Sequence, residues 1–175
     1  MRLTKITGVK QFMNKLLIEN AFDSFLISEA VIKTGNSFVI DGHINEDFYS
    51  AEELASLEAE SIKDGRIYSK KLSRWSSIKP FALSVMKGKK TPVYFKMSFY
   101  LAEENVGKLL SSADTSITAN DIDGLSLIVK YNDDELTVSS SVSLKIFSLD
   151  KSLDKIWDDM VIKFLASYEI SYEIM

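Results

Sequence analysis

Apolar residues recur at helical spacing near the start of the chain. Five of them fall at i, i+3, i+4, i+7 and i+8, which places them on one stripe of a helix that Thr7 is positioned to cap. Further along, Ser50–Glu53 forms a capping-box pattern that opens a second, short helix. The residues of the first stripe are Val9, Phe12, Met13, Leu16 and Leu17.

Two more predicted helices have a tryptophan near their start. Trp75 leads an apolar helical pattern that ends at Gly88, and Ser76 as its N-cap places Pro80 in the first turn, where a missing N–H costs nothing. Trp157 lies on the apolar face of the last helix. We expect both tryptophans to anchor the core. Between these two helices another turns three apolar residues inward: Val106, Leu109 and Leu110.

Strands are predicted where apolar and polar residues alternate. Residues 93–101 give the cleanest alternation in the chain. Two hairpins are predicted, at residues 25–44 and 125–147, each around a turn of Asn, Asp, Gly or Ser residues. We expect a bend or bulge at Ser139–Ser141 and a last strand near residues 170–174.

Together these elements predict an α+β fold with a mainly antiparallel sheet, or two related sheets, and four or five packed helices. We expect a single domain over residues 1–175. The halves 1–92 and 93–175 show the same order of strand, helix, hairpin and tryptophan-led helix, which suggests an internal duplication. Residues 60–71 contain few apolar side chains and predict an exposed, mobile connection.

Composition excludes several classes of protein. The chain has 175 residues, of which 46% are hydrophobic and none is cysteine, so disulfide scaffolds, thiolate metal sites and cysteine nucleophiles are ruled out. No apolar run is long enough for a membrane span, and the first residues lack the uninterrupted apolar core of a secretory signal. We therefore expect a cytoplasmic protein without a membrane partner.

Charge is strongly segregated along the chain. Residues 41–60 contain seven acids and no Lys or Arg, whereas residues 63–96 contain ten bases and one acid. The net charge of −4 hides this division. The candidate residues for binding an anion or a partner are Lys70, Lys71, Arg74, Lys79, Lys87, Lys89 and Lys90.

This basic segment has three readings. Its side chains are neutralised within the protein or simply solvated, with those after the third helix complementing the helix dipole. Alternatively they contact another protein or a second copy of the chain. The third reading is nucleic acid or another polyanion, for which Tyr68 and Trp75 are available to stack on bases.

Catalytic and metal-binding signals are weak. His43, the only histidine, follows Asp41 by two residues on a predicted strand, so both side chains face the same side and make the pair a weak catalytic candidate. Asn120–Gly124 resembles a calcium loop only superficially, because Lys130 stands where a bidentate Glu is required. No phosphate loop, dinucleotide fingerprint or nucleophile elbow is present, so we predict no cofactor and no metal.

Tyr94 and Tyr100 lie on the side of their strand opposite the Phe95 and Phe99 row. This placement has two explanations. Either another helix covers the second face of the sheet, or the tyrosines lie at a subunit contact.

Several short segments give the chain a family resemblance. Through these segments the chain resembles an uncharacterised family of proteins from anaerobic Gram-positive bacteria, and the resemblance covers nearly the full length of the chain. The resemblance implies a bacterial, cytoplasmic setting and supplies no activity, cofactor or catalytic residue. The segments are Phe12–Met13, Lys15–Leu17, Phe38–Gly42, Trp75–Ser76, Lys87–Pro92, and Leu149–Leu153 with Trp157–Asp158.

Three hypotheses of function follow. The first is a non-enzymatic interaction protein, self-associating or bound to another protein through the basic segment 63–96. The second is binding of nucleic acid or another polyanion through the same segment. The third is a small hydrolase or transferase centred on Asp41 and His43.

Overall fold

The structure, a computed structural model, describes residues 1–63 and 71–175. Within these ranges the chain forms eight strands and five α-helices, as an α+β fold. In chain order they are β1 (Leu3–Ile6), α1 (Val9–Leu17), β2 (Leu26–Lys33), β3 (Ser37–Asp41), α2 (Ala51–Lys63), β4 (Ser73–Arg74), α3 (Trp75–Met86), β5 (Tyr94–Tyr100), α4 (Glu103–Ser111), β6 (Ile122–Asn132), β7 (Glu135–Leu144), α5 (Ser152–Ser167) and β8 (Tyr172–Ile174).

All eight strands belong to one sheet, so the alternative of two sheets is wrong. The order is β3-β2-β5-β6-β7-β1-β8, with β4 also paired to β2, and every pairing is antiparallel. Because β1 pairs with β7 and β2 pairs with β5, strands from the two predicted halves are interleaved. Each half shows the predicted order of elements, with α2 and β4 added to the first half, and the duplication itself stays a prediction.

Helices cover one face of this sheet. Buried residues of α1, α3 and α5 belong to the same apolar core as alternate residues of the central strands, including Phe95, Met97 and Phe99 of β5. Trp75 and Trp157 are fully buried, as predicted. Each indole also has a hydrogen-bond acceptor, since Trp75 Nε1 donates to the Leu16 carbonyl at 2.7 Å and Trp157 Nε1 to the Ser126 carbonyl at 2.9 Å.

Local chemistry explains most element boundaries. The Ser50 and Glu53 capping box is present, because each residue accepts a hydrogen bond from the other's backbone N–H, at 3.2 and 2.7 Å. The turn between β6 and β7 places Asp133 and Asp134 at positive φ, which Asp tolerates well and which a two-residue hairpin turn requires. The second hairpin therefore forms as the alternation and turn residues predict.

Three local predictions are wrong. The N-cap of α1 is Gly8 rather than Thr7, and no side chain caps that helix. Helix α3 begins at Trp75 itself with Arg74 as N-cap, so Pro80 lies in the second turn and not in the first. In the second hairpin the register shift falls between Ile122 and Gly124, whereas Ser139–Ser141 pair regularly with β6. The buried Ser140 hydroxyl donates a hydrogen bond to Asp158.

Helix α2 reaches Lys63, so the first residues of the connection predicted at 60–71 are helical. Residues 64–70 of that prediction lie outside the described part of the chain. Lys71, which follows them, lies at positive φ, and its carbonyl accepts a hydrogen bond from the Ile44 N–H at 2.7 Å.

Candidate functional site

Two of the predicted binding residues, Arg74 and Lys79, form hydrogen bonds and ion pairs within the protein. Arg74 donates to the Ser24 carbonyl at 2.8 Å and to the Glu104 carboxylate at 2.6 Å. Lys79 donates to the Asp23 carboxylate at 2.6 Å and to a backbone carbonyl of the same loop. The Arg74 and Lys79 side chains are only 19% and 14% exposed. Arg74 therefore holds β4 against residues 24 and 104, and Lys79 holds α3 against the loop of residues 19–23.

The other predicted binding residues lie apart from these two. Lys71 forms an ion pair with Glu46. Lys87, Lys89 and Lys90 are exposed in the turn after α3, and none of them has a carboxylate partner in the parts of the chain that the structure describes. Lys70, and Tyr68 as a stacking residue, lie outside the described residues. Trp75 cannot stack on a ligand, because it is completely buried.

The face of the sheet opposite α1, α3 and α5 has no buried residue along β2, β5, β7 and Ser126–Asn132 of β6. We call it the open face. Its polar residues alternate with core residues, so the same periodicity that fills the core leaves Ser, Thr, Lys and Tyr on the other side. On its central strands β2, β5, β6 and β7 it consists of half-buried or exposed residues: Glu29, Val31, Lys33, Tyr94, Lys96, Ser98, Tyr100, Ser126, Ile128, Lys130, Asn132, Glu135, Thr137, Ser139 and Ser141.

Three lysines come together on the open face. Lys96 of β5 and Lys130 of β6 are directly opposite in the register, and Lys33 lies over the Tyr94 ring at 5.1 Å. None of the three has a carboxylate within 4.0 Å among the described residues. Like charges directly opposite each other destabilise a sheet. The pair Lys96 and Lys130 is therefore a place where an anionic group would stabilise the protein.

The turn with Lys87, Lys89 and Lys90 leads into this basic area. Val93, just after the turn, donates its N–H to the Lys33 carbonyl at 2.9 Å, which brings the end of the turn to the end of β2. Among the described bases of the segment 63–96, Lys96 is the one on the open face. Lys33, Lys96 and Lys130 were all absent from the sequence-based candidate residues, although the alternation in their strands places them on a polar face.

Carboxylates occupy another part of the open face. Glu29 of β2 is directly opposite Asp41 of β3. His43 follows, and its Nδ1 lies 2.6 Å from Asp41 Oδ1, while its backbone N–H donates to the same oxygen at 2.9 Å. These hydrogen bonds, the backbone one first, lower the pKa of Asp41. Asp41 thus stays ionised and orients the imidazole.

Asp41 and His43 also line a shallow cavity of about 410 Å³, together with Glu29, Ser98 and Tyr100. Gly42 fixes the chain here, because a Cβ at this position would lie 1.8 Å from the Ile27 carbonyl oxygen. Both side chains of the pair remain well exposed, His43 at 63% and Asp41 at 73%. Strand β3 ends at Asp41, so His43 lies beyond the strand, in an isolated bridge with Leu72, and not on the strand as predicted. Its side chain nevertheless contacts Asp41.

Other acidic groups serve the fold. In the turn that resembles a calcium loop, Asp121 accepts hydrogen bonds from the Thr118 hydroxyl and N–H, which lower the pKa of Asp121. Asp158 and Asp159 near the end of β1 bond to Ser140 and Arg2. Across residues 1–63 and 71–175, no cluster of three or more His, Asp or Glu side chains is arranged to hold a metal ion.

No helix in the described ranges combines the length and the apolar character that crossing a membrane requires.

Comparison with known proteins gives a family and no function. No curated protein and no solved structure matches the chain. Residues 15–173 match the family model described as a family of unknown function, DUF5721. The match extends from α1 to β8 and so includes the whole open face apart from β1. The chain belongs to this family, DUF5721.

Proposed function

We propose that this chain is a non-enzymatic binding protein that contacts its partner through the open face. The observation on which this rests is the side of the eight-stranded sheet opposite α1, α3 and α5, on which Lys33, Lys96 and Lys130 are grouped. The sequence predicted a contact through the basic segment 63–96. Within that segment, we now propose that Lys96 and the turn residues Lys87, Lys89 and Lys90 make the contact.

The energetic argument concerns the central lysine pair. Cross-strand neighbours have Cβ atoms about 5 Å apart, so two ammonium groups opposite each other repel unless a counter-charge lies between them. Lys96 and Lys130 have no such carboxylate in the described part of this chain. A partner that supplies one removes the repulsion and gains charge-assisted hydrogen bonds. The partner's contacting surface is accordingly acidic at this point.

Site-specific photo-crosslinking in cells tests the proposal. A photoreactive amino acid replaces Ser139, which is half-buried on the open face, and in a matched control it replaces Ala166, which is exposed on α5. We expect an adduct from position 139 alone, and we expect the combined variant Lys33→Gln, Lys96→Gln and Lys130→Gln to abolish it. Equal adducts at both positions, or none at position 139, would contradict the proposal.

Polyanion binding through the same lysines is the alternative for this surface. Tyr94 and Tyr100 lie on the open face beside the lysines, as a stacking platform for bases requires. In a filter-binding titration with single-stranded RNA at low salt, this alternative expects retention that falls as salt rises and that Lys96→Gln with Lys130→Gln weakens. Absence of retention at low ionic strength excludes it.

The cavity beside Asp41 and His43 supports a second candidate function, a hydrolase or transferase. Asp41 holds His43 through Nδ1, which is the arrangement of an acid and base pair whose Nε2 acts on a substrate. The test is hydrolysis of p-nitrophenyl esters and phosphates by the purified chain and by His43→Gln. Equal rates for the two proteins exclude this candidate, because the imidazole is its acting group.

The setting that we propose is the cytoplasm of an anaerobic Gram-positive bacterium, as the residue resemblance implies. We also propose a single domain over residues 1–175, since strands of both halves share one sheet. Cell fractionation of the native protein, and limited proteolysis that yields one protected fragment, test these two statements.

A further inference from the structure

The charges and apolar residues of the open face have the arrangement that a symmetric dimer needs. In a contact with two-fold symmetry, residues on the axis meet their own copies, and residues on one side of the axis meet those on the other side. Self-complementarity therefore requires uncharged residues along the axis and opposite charges on its two sides.

The strand register provides an uncharged line across the open face. Val39 of β3 is directly opposite Val31 of β2, and Ser98 of β5 is directly opposite Ile128 of β6. Val31 is paired with Lys96, so Ser98 is its diagonal neighbour. These four residues form one diagonal row through β3, β2, β5 and β6. None of them is charged, and Val39 is 65% exposed.

Opposite charges lie on the two sides of this diagonal. Glu29 and Asp41 occupy one side, and Lys33, Lys96 and Lys130 occupy the other. With strands about 4.8 Å apart and a rise of about 3.4 Å per residue, the centres of the two groups are about 12 Å apart. A half-turn about the diagonal therefore places the lysines of one copy over the carboxylates of the other.

We propose that the partner covering the open face is a second copy of this chain, docked face to face about this diagonal. The inference rests on the proposed function and names its partner. It also meets the energetic requirement stated above, because the half-turn brings Glu29 of the second copy to Lys96 and Asp41 to Lys33, so anionic groups reach the lysines that lack them in their own chain.

The area of the face determines how tight the dimer is. Five strands of about seven residues cover roughly 24 Å by 24 Å, on the order of 600 Å² per copy. This is at the lower end of specific interfaces, which bury about 800 Å² per partner. We therefore expect a reversible dimer with a dissociation constant in the micromolar range, weakened at high salt because its flanks are ion pairs.

Sedimentation velocity on the full chain, over concentrations from about 1 µM to 1 mM, measures this association directly. The acidic variant Lys33→Glu with Lys96→Glu and Lys130→Glu has negative charge on both sides of the diagonal. The basic variant Glu29→Lys with Asp41→Lys has positive charge on both sides. Each is expected to self-associate at least tenfold more weakly than the native chain. The matched control Lys155→Glu with Lys163→Glu changes exposed lysines of α5 and should associate like the native chain.

Mixing the two variants separates a lost interface from a lost fold. In a mixed pair every contact across the diagonal again joins opposite charges, so the acidic and basic variants are expected to form a heterodimer at native-like concentrations. Failure of the mixture to associate, or variants that dimerise like the native chain, would overturn the inference.

The outcomes also distinguish this inference from the proposed function. A native chain that remains monomeric up to about 1 mM overturns the dimer. If the crosslink from position 139 then captures a different molecule, the open face remains a binding surface and only its partner is changed. A crosslinked adduct with twice the mass of the chain supports both.

Discussion

Replacing Arg74 by Gln removes two charged hydrogen bonds from the inside of the fold. Its guanidinium joins the Ser24 carbonyl and the Glu104 carboxylate, and both side chains of the ion pair are 19% exposed. Glu104 then retains its charge in a half-buried position without its partner. We expect Arg74→Gln to destabilise the protein and to leave binding at the open face unchanged.

The expected loss of stability in Arg74→Gln follows from how little of the Arg74 and Glu104 side chains is exposed to solvent. Exposed ion pairs contribute about 0.2–1 kcal/mol, whereas hydrogen bonds to charged groups contribute about 1.5–3 kcal/mol. Because four-fifths of each side chain is covered, we expect a loss of about 2 kcal/mol. For 175 residues, with an unfolding entropy of about 2.1 cal/mol/K per residue, this corresponds to a decrease of about 5 °C in Tm.

A double-mutant cycle in urea isolates the ion pair. The cycle combines Arg74→Gln with Glu104→Gln, and we expect a coupling free energy of about 1.5 kcal/mol. Lys151 and Asp154 provide the control pair, since they are 3.9 Å apart with Lys151 78% exposed, and their coupling should stay below about 0.5 kcal/mol. Equal coupling in the two cycles would refute the reasoning, as would an unchanged Tm in Arg74→Gln.

Three further predictions concern single positions. Gly42→Ala should cost about 3 kcal/mol in urea unfolding, because its Cβ overlaps the Ile27 carbonyl, whereas Gly35→Ala, with no atom within 4 Å, should be nearly neutral. Trp75→Phe should cost about 2–3 kcal/mol in the same assay, since the buried Leu16 carbonyl loses its donor and a cavity remains; a cost under about 1 kcal/mol contradicts this. Hydrogen bonds from the Ser152 hydroxyl and N–H, then from Ser116, lower the pKa of Asp150, so its contribution to stability is present at neutral pH and lost in acid. Asp150→Asn should therefore be less stable at pH 7 and approach the native chain below about pH 4, and a difference independent of pH would contradict this.

The sequence predicted those parts of the fold that local periodicity determines. The alternation over β5 assigned Phe95, Met97 and Phe99 to the core and Tyr94 and Tyr100 to the other face, as the structure shows. The tryptophans were also assigned correctly, because each leads an apolar helical stripe. Such features depend only on neighbours within a few residues.

The proposed binding surface could not be predicted in this way because it depends on long-range pairing. Arg74 and Lys79 counted as available bases in the sequence, but their carboxylate partners lie 30 and 56 residues away. Lys96 and Lys130 are likewise brought together by the β5 and β6 register. Charge segregation along the chain includes Lys96 in the basic segment, whereas Lys130 lies outside that segment.

Lysine labelling tests most directly whether the open face is covered by a partner. An amine-reactive reagent is applied to intact cells and to the dilute purified chain, and labelling of each lysine is read by mass spectrometry. We expect Lys96 and Lys130 to be protected in cells, while Lys155 and Lys163 on α5 are labelled equally in both samples. Equal labelling of Lys96 and Lys130 in cells and in dilute solution would contradict the account.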